Sequence, residues 1–351
     1  MKKMDDFVRH NLNRRSFLKL SGLLGLGVAS AGIVPLGAEA VRFNKKMMKV
    51  SKTRLAMGTF VSMTLVHPSK DHAEDAMGHA FREIDRLSGV LSRFDEATAV
   101  AQLNKEGRLK DLPPEVAHVV RRALDYHQVS HGCFDITVKP VVDLFKEKLG
   151  GEKKVNPTDK ELAEALKLVG SRKIRLEDRA IFFEQPGMGI TLDGIAKGYI
   201  VDKASQVLTE RGIENHLINA GGDIRTRGSK AGDKPWTVAI QDPSKGNNYP
   251  DVIHMRDGAV ATSGNYEIYF DREKMFHHIV NPRTGLSPQL STSVSVMART
   301  TMEADALSTS VFVMTPEEGK RLINTLRNCE CLVVAKDGSI LKSNGWGSKA
   351  M

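Results

Sequence analysis

The chain has 351 residues, 41% of them hydrophobic and 26% charged, with a formal net charge of +9 and three cysteines. That length and apolar content build a core without staples, so a disulfide scaffold is excluded, and Cys133, Cys329 and Cys331 read as small buried residues. The basic residues are scattered rather than clustered among aromatics, which argues against a nucleic-acid surface and leaves a small polyanionic ligand compatible with the charge.

Residues 1–40 read as an address. Arg14 and Arg15 precede Ser16, Phe17, Leu18 and Lys19, and an apolar, glycine-containing run follows over residues 20–36. This is the pattern of a twin-arginine export signal, and the run is short for a span of about 20 residues. Ala38-Glu39-Ala40 fits a cleavage site, so the expected working chain is residues 41–351 in the periplasm. No cysteine follows the cut to take a lipid there.

After the signal, "RLAMGTFVSMTLVH" predicts a strand entered through a glycine turn. Ala76, Ala80, Ile84, Leu87 and Leu91 mark one face of a helix, and Val116, Val119, Val120, Ala123 and Leu124 mark another after Pro113–Pro114. Thr158 and Glu161 have capping-box spacing, opening a short helix bounded by Gly170. "KIRLEDRAIFFE" predicts a hairpin, "GIAKGYIVDKASQVLTERG" a helix, and "NHLINAGGDIRTRG" a strand with a glycine turn. "WTVAIQDP", "GAVATSGNYEIYF" and "MFHHIVNPRTG" add strands, "TTMEADALSTSVFVM" a helix, and "CECLVVAKDGSIL" a closing hairpin around Asp337–Gly338. The mixture is α+β, as one domain or two lobes, without the regular alternation of a doubly wound sheet.

Three stretches carry chemistry. In "ITLDGIAKGYIVD" a helix starting near Gly194 would take Asp193 as its N-cap and put Lys197 in the first turn. A cation there opposes the helix dipole by roughly 0.3–1 kcal/mol, so the lysine wants a negative neighbour, either Asp193 or a bound anion. The G-x-x-x-x-G-K-[ST] loop of nucleotide triphosphatases is absent. In "EADALSTS", Asp305 and Thr309 lie four apart on one helix face, either as oxygen ligands to a hard cation such as magnesium or as a solvated acid beside a self-bonded threonine. In "FHHIVNPRTG" the two histidines face opposite ways along a strand, so they are no metal pair; one held at the turn is a candidate general base or phosphate contact, or a structural histidine.

Together and in order, "AMGTFVSM", "LSRFDEATAVAQLN", "GCFDITVKPVVDLF", "LDGIAKGYIVDKA", "INAGGDIRTRG", "TSGNYEIYF", "HHIVNPRTG" and "EADALSTSVFV" resemble the ApbE family of FAD:protein FMN transferases over about residues 50–335. The resemblance implies an ApbE-like, T-fold-like α+β domain with the FAD site between lobes if there are two. It implies transfer of FMN from FAD to a threonine or serine hydroxyl of an acceptor protein, with magnesium on the pyrophosphate and AMP leaving. By position, Asp305, Thr309 and the backbone oxygen of Gly194 match the metal ligands. Met57, Phe94, Cys133, Phe134, Asp135, Thr191 and Lys197 match positions lining the FAD site, and His278 matches the family histidine, read as the proton acceptor. The expected acceptor is a flavoprotein subunit of a membrane-linked electron-transfer system. The family's Asp-Leu-Gly-Gly is Thr191-Leu192-Asp193-Gly194 here, and if the segment is extended Asp193 shares a face with Thr191 and takes the acid's work. Hydrolysis of FAD to FMN and AMP, and carriage of FAD without catalysis, are the competing readings.

Overall fold

Period-two apolar patterning builds one large sheet. The computed structural model describes residues 39–42, 47–150, 155–230, 232–243, 249–265, 277 and 279–347; the twin-arginine pattern and His278 lie outside them. The strands are β1 (Glu39–Arg42), β2 (Met48–Ala56), β3 (Thr59–His67), β4 (Arg108–Lys110), β5 (Ile174–Leu176), β6 (Ala180–Phe183), β7 (His216–Ala220), β8 (Asp223–Arg227), β9 (Trp236–Ala239), β10 (Val252–Met255), β11 (Gly258–Gly264), β12 (Ser291–Ala298), β13 (Glu330–Ala335) and β14 (Ile340–Lys342). The helices are α1 (Lys70–Leu91), α2 (Ala99–Glu106), α3 (Pro114–Val129), α4 (Lys139–Gly150), α5 (Asp159–Lys167), α6 (Ala196–Glu210), α7 (Thr301–Val313) and α8 (Pro316–Thr325).

Nine strands pair in the order β1-β2-β3-β7-β8-β11-β12-β13-β14, antiparallel at every step. Both faces of its second half are covered, which is why "CLVVA" is an unbroken apolar run. Cys331 and Val333 join the main core beneath the helices, while Leu332 and Val334 pack in a second core under the β9–β10 ribbon and Trp346. α1 lies on α6, α6 on α7, and α7 on β11 and β12. β1 pairs Glu39 with Ser51 and Val41 with Lys49, so it straddles the expected cut after Ala40.

Most predicted elements are present. The helical faces of α1 and α3 are buried, except that Leu124 is half-buried, and Thr158 and Glu161 form a reciprocal capping box. The first strand is instead a hairpin of two long strands, closed by Met57 (φ 52°) and Gly58 (φ 72°), the positive pair of a two-residue I′-type turn.

Three expectations are corrected. α6 begins at Ala196, because residues 193–195 turn and the Ile195 and Ala196 N–H groups both donate to the Leu192 carbonyl at 3.1 and 2.8 Å. Asp193 is therefore not the N-cap; Ile195 is, and it has no acceptor to offer. The predicted strand at His277 is, among the described residues, one isolated bridge, since the chain folds back at once through the Asn281–Leu286 turn and Ser287 takes the His277 backbone groups. Cys329 and Cys331 are buried, but Cys133 is half-buried because it sits in the turn leaving α3.

Candidate active site

Two helices meet where the candidate metal ligands stand. Asp305 is 5% exposed, and its Oδ2 accepts the Gly198 N–H at 3.1 Å, closing a free donor in the first turn of α6. Burial pushes its carboxyl well above the usual carboxylate range, and Asp223 adds to that shift against the pull of Lys197. One turn further along α7, the Thr309 hydroxyl lies 3.3 Å from Ser263 Oγ, which is 2.8 Å from Ser308 Oγ. A Cβ on Gly194 would sit 3.0 Å from Thr309 Oγ1 and 3.4 Å from the Phe134 ring, so Gly194, Thr309 and Phe134 converge.

Lys197 does not pair with Asp193. Its ammonium stands 3.1 Å from Asp223 Oδ2, on the first residue of β8, just past the Gly221–Gly222 turn. Burial raises the Asp223 carboxyl too, although Lys197 draws it down. Asp193 is instead clasped by Arg93, whose Nε and Nη2 each reach its Oδ2 at 3.1 Å. Arg93 also lies over the Phe94 ring at 4.5 Å, with the Lys146 ammonium 5.1 Å from the same ring. Phe94 is 63% exposed, a flat apolar surface steadied by two cations.

Thr191 and Asp193 do not share an environment. The turn at residues 193–195 leaves Thr191 buried, its N–H on the Ile136 carbonyl at 2.8 Å, and Asp193 exposed. Only a 3.3 Å bond from the Asp193 N–H to Thr191 Oγ1 joins them. The shared face expected of an extended segment is absent.

The Asp135 carboxylate is spent internally. It accepts from the Thr137 N–H and hydroxyl at 2.8 and 2.5 Å and from the Ser171 N–H and hydroxyl at 3.0 and 2.8 Å, and it faces His127 Nδ1 at 3.2 Å. Burial pushes this carboxyl up, but His127, Thr137 and Ser171 together hold it below its ordinary value, and Asp135 in turn raises His127. Phe134 is buried edge-on to Tyr126, Cys133 beside it has its thiol raised by burial, and Met57 occupies the β2–β3 turn. His277 points inward, with Nε2 donating to the Pro288 carbonyl at 2.9 Å and its ring edge-on to Phe312.

Magnesium is an expectation the residues can be tested against. Asp305 and Thr309 offer only oxygens, the preference of a hard cation. Among the described residues Asp223 Oδ2 accepts no well-aligned hydrogen bond although Lys197 is near, and the Asp305 carboxyl beside it is buried too. Two carboxyls are buried around one ammonium, both raised by that burial, and the oxygen donor set fits a divalent cation, whose charge would favour their ionised forms.

Sequence reasoning misses Asp223, Asp202, Ser263 and Arg93. Each lies inside a stretch quoted for the family resemblance. The acid directly after the Gly221–Gly222 pair is the available signal.

The family model described as ApbE family matches residues 57–333. A curated relative from Haemophilus influenzae, named FAD:protein FMN transferase, is 33% identical over 272 residues, covering 74% of this chain and 78% of the relative. The crystal structure of the ApbE protein from Thermotoga maritima superposes with a TM-score of 0.77 at 30% identity, covering 85% of this chain and 98% of that one. The flavin transferase ApbE from Vibrio cholerae gives a TM-score of 0.76 at 25% identity over 88% and 99% of the two chains.

Proposed function

The chain belongs to the ApbE family, and from that premise we propose that it is an FAD:protein FMN transferase, moving FMN from FAD onto a threonine or serine hydroxyl of an acceptor protein. The acceptor oxygen bonds to the phosphorus nearer riboflavin, the bond from that phosphorus to the bridging oxygen breaks, and AMP leaves with that oxygen. The observation that carries this reading is the convergence of Gly194, Thr309 and Asp305 beside the start of α6, with Lys197 in its first turn.

The Lys197 ammonium, in the first turn of α6 and 3.1 Å from Asp223, answers the charge of a diphosphate at the positive end of the helix dipole. Phe94 and Phe134 offer ring surfaces to the flavin or adenine. Asp305, Thr309 and the Gly194 carbonyl would hold magnesium, which when bound neutralises charge on the phosphoryl oxygens. His278 takes the proton from the attacking hydroxyl. The buried Thr191 fills the family's acid position with a hydroxyl, while Asp193 orders Arg93 under Phe94.

The Arg14–Arg15 pattern supports export to the periplasm, where the acceptor would be a flavin-carrying subunit of a membrane-linked electron-transfer system. Replacing both arginines by lysine should leave the protein in the cytoplasmic fraction; unaltered periplasmic yield refutes that route. The activity is tested by incubating the protein with FAD, magnesium and a candidate acceptor flavoprotein domain. An acceptor heavier by one FMN, with AMP released in step, is expected. AMP released at the same rate without acceptor means hydrolysis, and FAD recovered intact means carriage. Asp305→Ala should abolish magnesium-dependent turnover, and full activity in that variant would remove the metal assignment.

A further inference from the structure

α6, with the turn that leads into it, is joined to α7 by three rungs four residues apart. Gly194 meets Thr309, the Gly198 N–H meets Asp305, and Asp202 meets Thr301 and Met302. The first two rungs carry the residues matched to metal ligands. The third carries none, yet it is the most fully bonded. One Asp202 oxygen accepts the Thr301 N–H and the other the Met302 N–H, both at 2.9 Å. The Thr300 hydroxyl takes the next donor, the Glu303 N–H, at 3.2 Å, so the start of α7 is closed completely.

The two carboxylates act reciprocally. Each sits four residues along its own helix from the amide that the other helix's acid accepts, 198 to 202 on α6 and 301 to 305 on α7. The backbones are in contact at this crossing, since a Cβ on Gly198 would lie 2.4 Å from the Thr301 carbonyl oxygen. Arg225 ties the approach to α7, donating to the Arg299 carbonyl while its Nε stands 4.0 Å from Asp202.

We propose that Asp202 is a positioning residue for the metal site: by fixing the start of α7 against α6 it sets the register that brings Asp305 and Thr309 opposite Gly194. The inference rests on the flavin-transfer reading and its magnesium site. A slip or tilt at the third rung carries the other two with it, because a helix transmits displacement along its ridge. Asp202→Asn keeps the size but turns an amide N–H towards one of the two backbone donors, so one bond is lost and like dipoles oppose.

The test titrates metal-free protein with magnesium alone, by calorimetry, and records thermal unfolding of the same metal-free samples. Asp202→Asn should weaken magnesium binding by about 10-fold, the range for partners that orient metal ligands. In flavin transfer the magnesium concentration for half-maximal rate should rise by a similar factor, with kcat largely restored at saturation. Asp202→Glu, which keeps the charge on a longer arm, should recover part of the affinity. A purely scaffolding role would lower the melting temperature and leave magnesium affinity alone, and that result overturns the proposal. If Asp202→Asn does not fold, wild-type affinity in Asp202→Glu overturns it instead. Magnesium affinity unchanged in Asp305→Ala refutes the underlying site, whereas affinity lost there but intact in Asp202→Asn refutes this inference alone.

Discussion

Gly198→Ala adds one methyl group at the closest approach of α6 and α7. The new Cβ would lie 2.4 Å from the Thr301 carbonyl oxygen, 2.6 Å from its carbon and 2.7 Å from Met302 Cα, all backbone atoms with no rotamer to yield. Restoring an ordinary contact moves the helices apart by about 1 Å, which stretches the 3.1 Å bond from the Gly198 N–H to Asp305 beyond hydrogen-bond length. Overpacking costs about 1–3 kcal/mol and a hydrogen bond to a charged group about 1.5–3, against a gain of about 0.5–1 for alanine over glycine in a helix. The expected net loss is about 1.5–5.5 kcal/mol. A misplacement of about 1 Å in a site is worth about 10²-fold in rate. Gly89→Ala is the control: a Cβ added to this exposed glycine of α1 meets nothing within 4 Å, so alanine there should hold or raise stability by about 0.5–1 kcal/mol. Denaturant melts of both variants, with FMN transfer to an acceptor domain, check the pair. Gly198→Ala with wild-type stability and rate would refute the tight crossing.

His278→Ala should leave FAD affinity nearly intact and slow transfer by about 10² or more, as expected for a lost general base; a normal rate at saturating FAD excludes the assignment. The His127–Asp135 pair predicts a pH optimum in stability. The raised His127 stabilises fully below its ordinary 6.5 and loses that contribution as pH rises through its folded value, while the lowered Asp135 stabilises above its ordinary 3.8 and loses it as pH falls through its own. Melting temperatures should therefore show this pair's contribution between about pH 4 and 6.5, and Asp135→Asn should cost more at pH 5.5 than at pH 8; an equal loss at both would refute it.

The sequence is most legible where a single periodicity decides the outcome. The stripe of α1 and the capping box of α5 need only local spacing, and both are present. The start of α6 is misplaced from sequence because its first donors are served from outside, by the Leu192 carbonyl and by Asp305, 107 residues away, so no local cap marks it. Asp305 and Thr309 can be paired from helical spacing alone. Asp223 and Asp202 cannot be given partners, because a sheet turn and a helix crossing bring Lys197 and Thr301 to them, and neither contact has a sequence period. Asp193 looks like a lysine's partner at four residues' distance, whereas Arg93, 100 residues away, is in place.

The exchange of carboxylates between α6 and α7 bears on when the site comes into being. The linked groups are 99 to 107 residues apart, so neither helix start is closed until both halves of the chain have found each other. Closing so long a loop is slow relative to forming either helix, and the crossing has no precursor in a half-collapsed chain. A molecule in which both helix starts are closed has, by that fact, finished folding.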